Sequence, residues 1–156
     1  VPEGPVIIGY DGSAASERAV TEAGALLGQR KALVVTVWEA GAGFAAVEVP
    51  TIPPAPIDFR LGAEYETALY EGARRRAEHG ARLAIEAGLD AEGLAVAEAS
   101  TVPESLVRVA REYDAACLVV GAHGHRALRE VLTGTTTRQV IQHAPCPVLA
   151  VRDPDK

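Results

Sequence analysis

The chain has 156 residues, 48% of them hydrophobic, which suits one well-buried domain (1–156) and is short for two. A net charge of −6 argues against nucleic acid or an anionic membrane as the main partner, because both are bound through excess positive charge. No apolar run approaches the ~20 residues of a membrane span and no charged-then-apolar leader opens the chain, so no membrane contact and a cytoplasmic location are expected.

Val6-Ile7-Ile8-Gly9-Tyr10 is short, apolar and closed by Asp11-Gly12-Ser13, which predicts a first strand followed by a turn. Ser13 is placed to cap a helix over 14–27, with Ala19, Val20, Ala23 and Leu27 on its apolar face and Gly28 as a stop. Residues 32–38 are apolar almost throughout, as in a strand covered on both faces. From Glu39 to about Arg60 the pattern breaks. Gly41 and Gly43 loosen its front half, and Pro50, Pro53, Pro54 and Pro56 exclude regular helix, so 39–60 reads as a Pro/Gly-rich loop able to fold over a pocket.

The longest helical pattern runs over 61–87, where Gly72 and Gly80 lower the intrinsic preference and packing on the sheet must compensate. Arg74-Arg75-Arg76, the one basic cluster, lies in it and reads as a solvated face. A short third strand is predicted at 94–97. Thr101-Val102-Pro103-Glu104 is a capping box, and the helix after it buries Leu106, Val107 and Ala110. Cys117-Leu118-Val119-Val120 is a fourth apolar strand that Gly121 should end, and a fifth follows a last helix at 147–151. Cys117 and Cys146 read as small buried hydrophobes, since no further ligands stand at a spacing that would make zinc of His143 and Cys146.

The chemistry gathers between the fourth strand and the last helix. After Gly121 comes a loop with His123, Gly124, His125 and Gly134, and then Thr135, Thr136 and Thr137 open the helix. Strand, glycine loop and helix start form the arrangement in which free N–H groups and a positive helix end hold phosphate. Glycines let the main chain lie against a ligand, and the threonines add hydroxyl donors. The bland alternative is a glycine-rich turn with no ligand. The spacing is neither G-x-G-x-x-G nor G-x-x-x-x-G-K-[ST].

It resembles the phosphate-binding signature of the ATP-binding branch of the universal stress protein family. The strand before it and the ending His143-Ala144-Pro145-Cys146-Pro147-Val148-Leu149-Ala150-Val151 resemble that family too. The resemblance implies an α/β fold, adenine-nucleotide α-hydrolase-like, with an open five-stranded parallel sheet in the order 3-2-1-4-5 and helices on both faces. It implies a nucleotide held by Tyr10, Asp11, Gly12 and Ser13, by Val37, by Val120 and Gly121, and by the loop and threonines. For Asp11 the alternative is a turn that only shapes the strand exit, and for Val37 it is plain core packing.

Three functions stay open: an ATP-binding stress-response module acting through conformation or partners, a slow ATPase, and a dimeric interaction module without nucleotide. ATP with Mg²⁺ is the expected cofactor. His123 and His125 read more readily as phosphate contacts than as general bases, and with no Walker lysine and no carboxylate paired with Asp11, binding outranks turnover. In the expected strand order 147–151 is a sheet edge with no charge inside it, which together with the resemblance implies a homodimer through Pro147 to Val151.

Overall fold

The computed structural model describes residues 2–47, 58–122 and 135–152. Its elements run β1 (Val6–Gly9), α1 (Ala14–Leu27), β2 (Lys31–Trp38), α2 (Ala42–Val47), α3 (Phe59–Glu86), β3 (Asp90–Ala97), α4 (Val102–Glu112), β4 (Cys117–Ala122), α5 (Thr135–His143) and β5 (Val148–Arg152). All pairings are parallel, and the five strands lie in the order β3-β2-β1-β4-β5 that the resemblance implied.

Val6, Ile7 and Ile8 of β1 are fully buried, which a strand in the middle of a covered sheet requires. Side chains alternate along it. Val6, Ile8 and Tyr10 join Ala19, Val20 and Ala23 of α1 and Ala81 and Ala84 of α3 in one core. Ile7 and Val35 join Leu106, Val109 and Ala110 of α4 and Val140 of α5 in the other. So α1 and α3 cover one face of the sheet, and α4 and α5 cover the opposite one. Among the described residues no helix is long and apolar enough to cross a membrane.

The helix starts are capped as the sequence predicts. The Ser16 N–H donates to Ser13 Oγ at 3.2 Å, and the Glu104 N–H donates to Thr101 Oγ1 at 3.4 Å. Cys117 and Cys146 are half-buried free thiols packed against opposite cores, and burial raises both pKa values.

Three expectations about the elements need correction. Part of the supposed loop over 39–60 is helical: α2 covers Ala42–Val47, and α3 already begins at Phe59, capped by Asp58, whose carboxylate accepts from the Arg60 and Leu61 N–H groups. Of the two glycines read as loosening, Gly41 has nothing within 4 Å of a Cβ, but Gly43 is a contact point, as is Gly62 of α3. A Cβ on Gly43 would lie 2.4 Å from the Glu66 nitrogen, and one on Gly62 would lie 2.5 Å from the Phe44 ring, so α2 sits tightly on α3. The proline-rich remainder lies outside the described residues. Second, β3 starts at Asp90, four residues early, because an edge strand tolerates the polar Asp90 and Glu92, and Gly93 lets it press against the α3 backbone at Ala77. Third, β4 runs through Gly121 to Ala122, and β5 is shifted by one residue to Val148–Arg152.

Two glycines of α3 separate helix propensity from packing. A Cβ on Gly72 would meet nothing within 4 Å, whereas one on Gly80 would lie 2.7 Å from Val34 Cγ1 and 2.8 Å from the Tyr10 ring. Both neighbours are buried and cannot retreat. Gly72→Ala is therefore expected to stabilise the protein by up to ~1 kcal/mol. Gly80→Ala gains the same propensity, but overpacking of about 1–3 kcal/mol exceeds it, so this variant should be less stable than wild type. Urea denaturation of the two variants reads the sign directly.

Candidate functional site

β1 is bonded to β4 only as far as the rung Ile8↔Val119. Past it, Gly9 stays opposite Val35 of β2 and the Tyr10 N–H donates to the Val35 carbonyl at 2.8 Å. β4 continues instead with β5, Gly121 opposite Val151. The parting of the two strands leaves a gap at the carboxyl end of the sheet, at the point where the strand order reverses, and open α/β sheets bind ligands there. A cavity of about 420 Å³ occupies it.

Gly9, Tyr10, Asp11 and Ser13 form one wall, and Val35, Thr36 and Val37 of β2 continue it. Val120 and Gly121 of β4 form the facing wall, with Val102 and Leu106 of α4 adding apolar surface. Thr136 and Thr137 bring the first turn of α5 to the cavity, so its positive end and two hydroxyls are available to an anion. Ala15 and Ser16 enter from α1, and Arg76 enters from α3.

The turn after β1 is fixed by its own side chains. The Ser13 N–H donates to Asp11 Oδ1 at 2.9 Å, the Asp11 N–H to Ser16 Oγ at 3.4 Å, and Ser16 Oγ to the Ser13 carbonyl at 2.9 Å. Gly12, with φ +81°, supplies the left-handed residue that the turn needs, and it does not itself line the cavity. Beneath the turn the buried Thr36 hydroxyl donates to the Tyr10 carbonyl at 2.9 Å. Partial burial raises the Asp11 pKa, but hydrogen bonds from the Ser13 side chain and backbone and from Ser16 together outweigh it and hold the carboxyl below its ordinary value.

Gly121 needs a different explanation from the one its sequence context suggests. Its φ is not in the left-handed region, and a Cβ on it would lie 2.5 Å from the Ala15 carbonyl oxygen. It is glycine because the first turn of α1 presses onto β4 at this point. Tyr10 is 3% exposed, with its ring in the core beside His79 and against Gly80.

Of the residues the sequence singles out, Tyr10, Asp11, Ser13, Val37, Val120, Gly121, Thr136 and Thr137 meet at this cavity. Thr135 opens α5, and Gly12 stands behind the wall. His123, Gly124, His125 and Gly134 lie outside the described residues. Arg76, Thr36 and Val102 were missed. For Arg76 the available signal is helical phase, since it stands one turn before Gly80, the position at which α3 touches Tyr10 and Val34.

The fold and cavity define a doubly wound α/β protein with an open cavity at its switch point, and the comparisons with known proteins say of which family. The sequence profile of the universal stress protein family matches residues 4–152, and the chain belongs to that family. No curated protein matches it. Among solved structures, the protein MJ0577, described as hypothetical in a structure-based assignment of its function, is 20% identical, with each chain covered in full and a TM-score of 0.72. A universal stress protein from Archaeoglobus fulgidus in complex with dAMP is 20% identical over 96% of this chain and 98% of its own, with a TM-score of 0.62. A further universal stress protein, in complex with cAMP, is 27% identical over 97% of this chain and 98% of its own, with a TM-score of 0.58.

The depressed pKa of Asp11 has a consequence for stability. A lowered folded-state value means that folding favours the carboxylate. That contribution is complete above the ordinary carboxylate pKa of about 4 and is lost as pH falls through the lower value of the folded protein. The gap in Tm between wild type and Asp11→Asn should be full at pH ~6 and narrow toward pH ~3. A gap that does not change with pH would mean that the carboxylate is not held by these hydrogen bonds.

Proposed function

We propose that the protein is an adenine-nucleotide-binding stress-response module of the cytoplasm, with ATP as ligand, whose bound state alters its shape or its partners. The observation that carries this reading is the pairing of an apolar slot between β2, β4 and α4 with the first turn of α5, one suited to a base and the other to phosphate. Family membership supports it, as do the dAMP and cAMP complexes of the two relatives. Tyr10, Asp11, Ser13, Val37, Val120, Gly121 and the three threonines are its proposed ligand-side residues, with Gly12 shaping their turn and His123, Gly124, His125 and Gly134 completing the phosphate loop.

Binding outranks chemistry for a reason the cavity supplies. Asp11 is the one carboxylate among the described lining residues, and its Oδ1 already accepts from the Ser13 N–H. Mg²⁺ brought with ATP would be carried mainly on the phosphates, as that ion commonly is, and not by a cage of protein ligands.

Mass spectrometry of nucleotide released from freshly purified protein is expected to find an adenine nucleotide, and calorimetry to show ATP binding. Gly134→Val should abolish that binding with an unchanged circular dichroism spectrum, because the added side chain occupies space the phosphates need. Unaltered ATP affinity in this variant would overturn the loop assignment.

We further propose a homodimer through β5. It is an edge strand, and Ala150 at its centre is exposed. The Leu118 N–H donates to the Pro147 carbonyl, so the alternation of a parallel ladder turns the Ala150 N–H toward the free edge. Such an edge pairs readily with a second copy about a two-fold axis. Ala150→Pro removes an outward donor and leaves the β4 ladder intact, so light scattering at tens of micromolar should give a dimer for wild type and a monomer for the variant. A monomeric wild type would overturn this part of the reading.

A further inference from the structure

The two formal charges on the described cavity lining differ in how they are held. Asp11 is tied into its turn through Oδ1, whereas Arg76 makes no ion pair with any described carboxylate. Its neighbour in sequence is engaged: Arg74 bonds Glu71 at 3.0 Å and Glu78 at 2.6 Å along the helix surface. Arg76 leaves that surface and lies over the turn after β1, with Cδ and Nε each 3.5 Å from the place a Gly12 Cβ would take. Its stem is fixed by the helix. Ala73 and Ala77 on either side of it are buried, and Gly80 one turn later is seated on Tyr10 and Val34.

We propose that Arg76 is a specificity-determining residue of the cavity, contacting an anionic group of the ligand and so favouring a phosphorylated adenosine over the neutral nucleoside. This rests on the nucleotide reading given above. The chemistry is that of the guanidinium, permanently charged and carrying a planar fork of N–H donors that matches phosphate oxygens. In a protein of net charge −6, a cation with no carboxylate partner among the described residues at a cavity mouth is a local exception to the repulsion an anion meets elsewhere. It also stands apart from the first turn of α5. Arg76 comes from the α1–α3 face of the sheet and Thr136 and Thr137 from the opposite face, so the cavity presents positive potential from two walls. Because Arg76 is solvent-exposed, its effect belongs at the low end of charge-assisted hydrogen bonds.

The test is calorimetric titration of wild type, Arg76→Gln, Arg76→Lys and Arg75→Gln with ATP, AMP and adenosine, adenosine being read by displacement of AMP. Arg76→Gln is expected to weaken ATP and AMP about tenfold and adenosine less than about twofold. Arg76→Lys, which keeps the charge but loses the planar fork, should keep only part of the discrimination, and Arg75→Gln, a charge change on the same helix away from the cavity, should change nothing. Unchanged nucleotide affinity in Arg76→Gln overturns the inference and leaves the nucleotide reading standing. Equal losses for adenosine and AMP also overturn it, because Arg76 would then serve the base, the ribose or the fold. A wild type that binds none of the three ligands overturns the nucleotide reading, and the role of Arg76 with it.

Discussion

β1 is hydrogen-bonded on both sides, but its bonding to β4 stops at Val119 while its bonding to β2 goes on to Tyr10, and the site follows from that inequality. Had β1 and β4 stayed paired to their ends, the sheet would have no gap at its carboxyl edge. The Thr36 hydroxyl, buried beneath Tyr10, bonds its carbonyl and holds the departing chain toward β2. Asp11, Ser13 and Ser16 then fold the next residues into a turn whose side chains satisfy their own backbone. The cavity wall is thus held by hydrogen bonds of its own.

A second constraint is how closely the layers approach. Gly121 admits the Ala15 backbone, Gly93 the backbone of Ala77, Gly80 the Tyr10 ring, and Gly24 the Ala87 carbonyl. A methyl group at any of these points would push a helix off the sheet or off its neighbour. Interiors packed to this density transmit such shifts without absorbing them. The placing of the α1 cap and of Arg76 at the cavity therefore depends on side chains that are missing.

The charges divide along the same geometry. On the outer surface of α3 the acidic and basic residues pair locally, as Arg74 does with Glu71 and Glu78. At the cavity the pairing is with backbone: Asp11 takes the Ser13 N–H, and α5 offers its first turn. Hydrogen bonding to the ionised form outweighs the burial of Asp11, so a carboxylate stays charged in a partly enclosed wall.

The sequence by itself determined the alternation of strands and helices, because apolar runs such as Val6-Ile7-Ile8 and caps such as Ser13 and Thr101 are local signals that survive any arrangement of the parts. It also marked Asp11 and the threonines, since a turn after a buried strand and hydroxyls at a helix start have meaning from a few neighbours alone. The strand order came through resemblance to a family. What only the tertiary structure decided depends on partners far apart in the chain. Gly43 looks like part of a loose loop until α2 and α3 are seen in contact, and the polar start of β3 looks unlike a strand until it is an edge. Gly121 reads as a place for the main chain to lie against a ligand, yet it is required by Ala15, more than a hundred positions away. Arg76 reads as one of three solvated arginines, and only the seating of Gly80 on Tyr10 turns it toward the cavity. A pattern of hydrophobicity records which face of a helix is buried. It does not record what stands opposite that face, and at this cavity that is what separates a lining residue from one on the open surface.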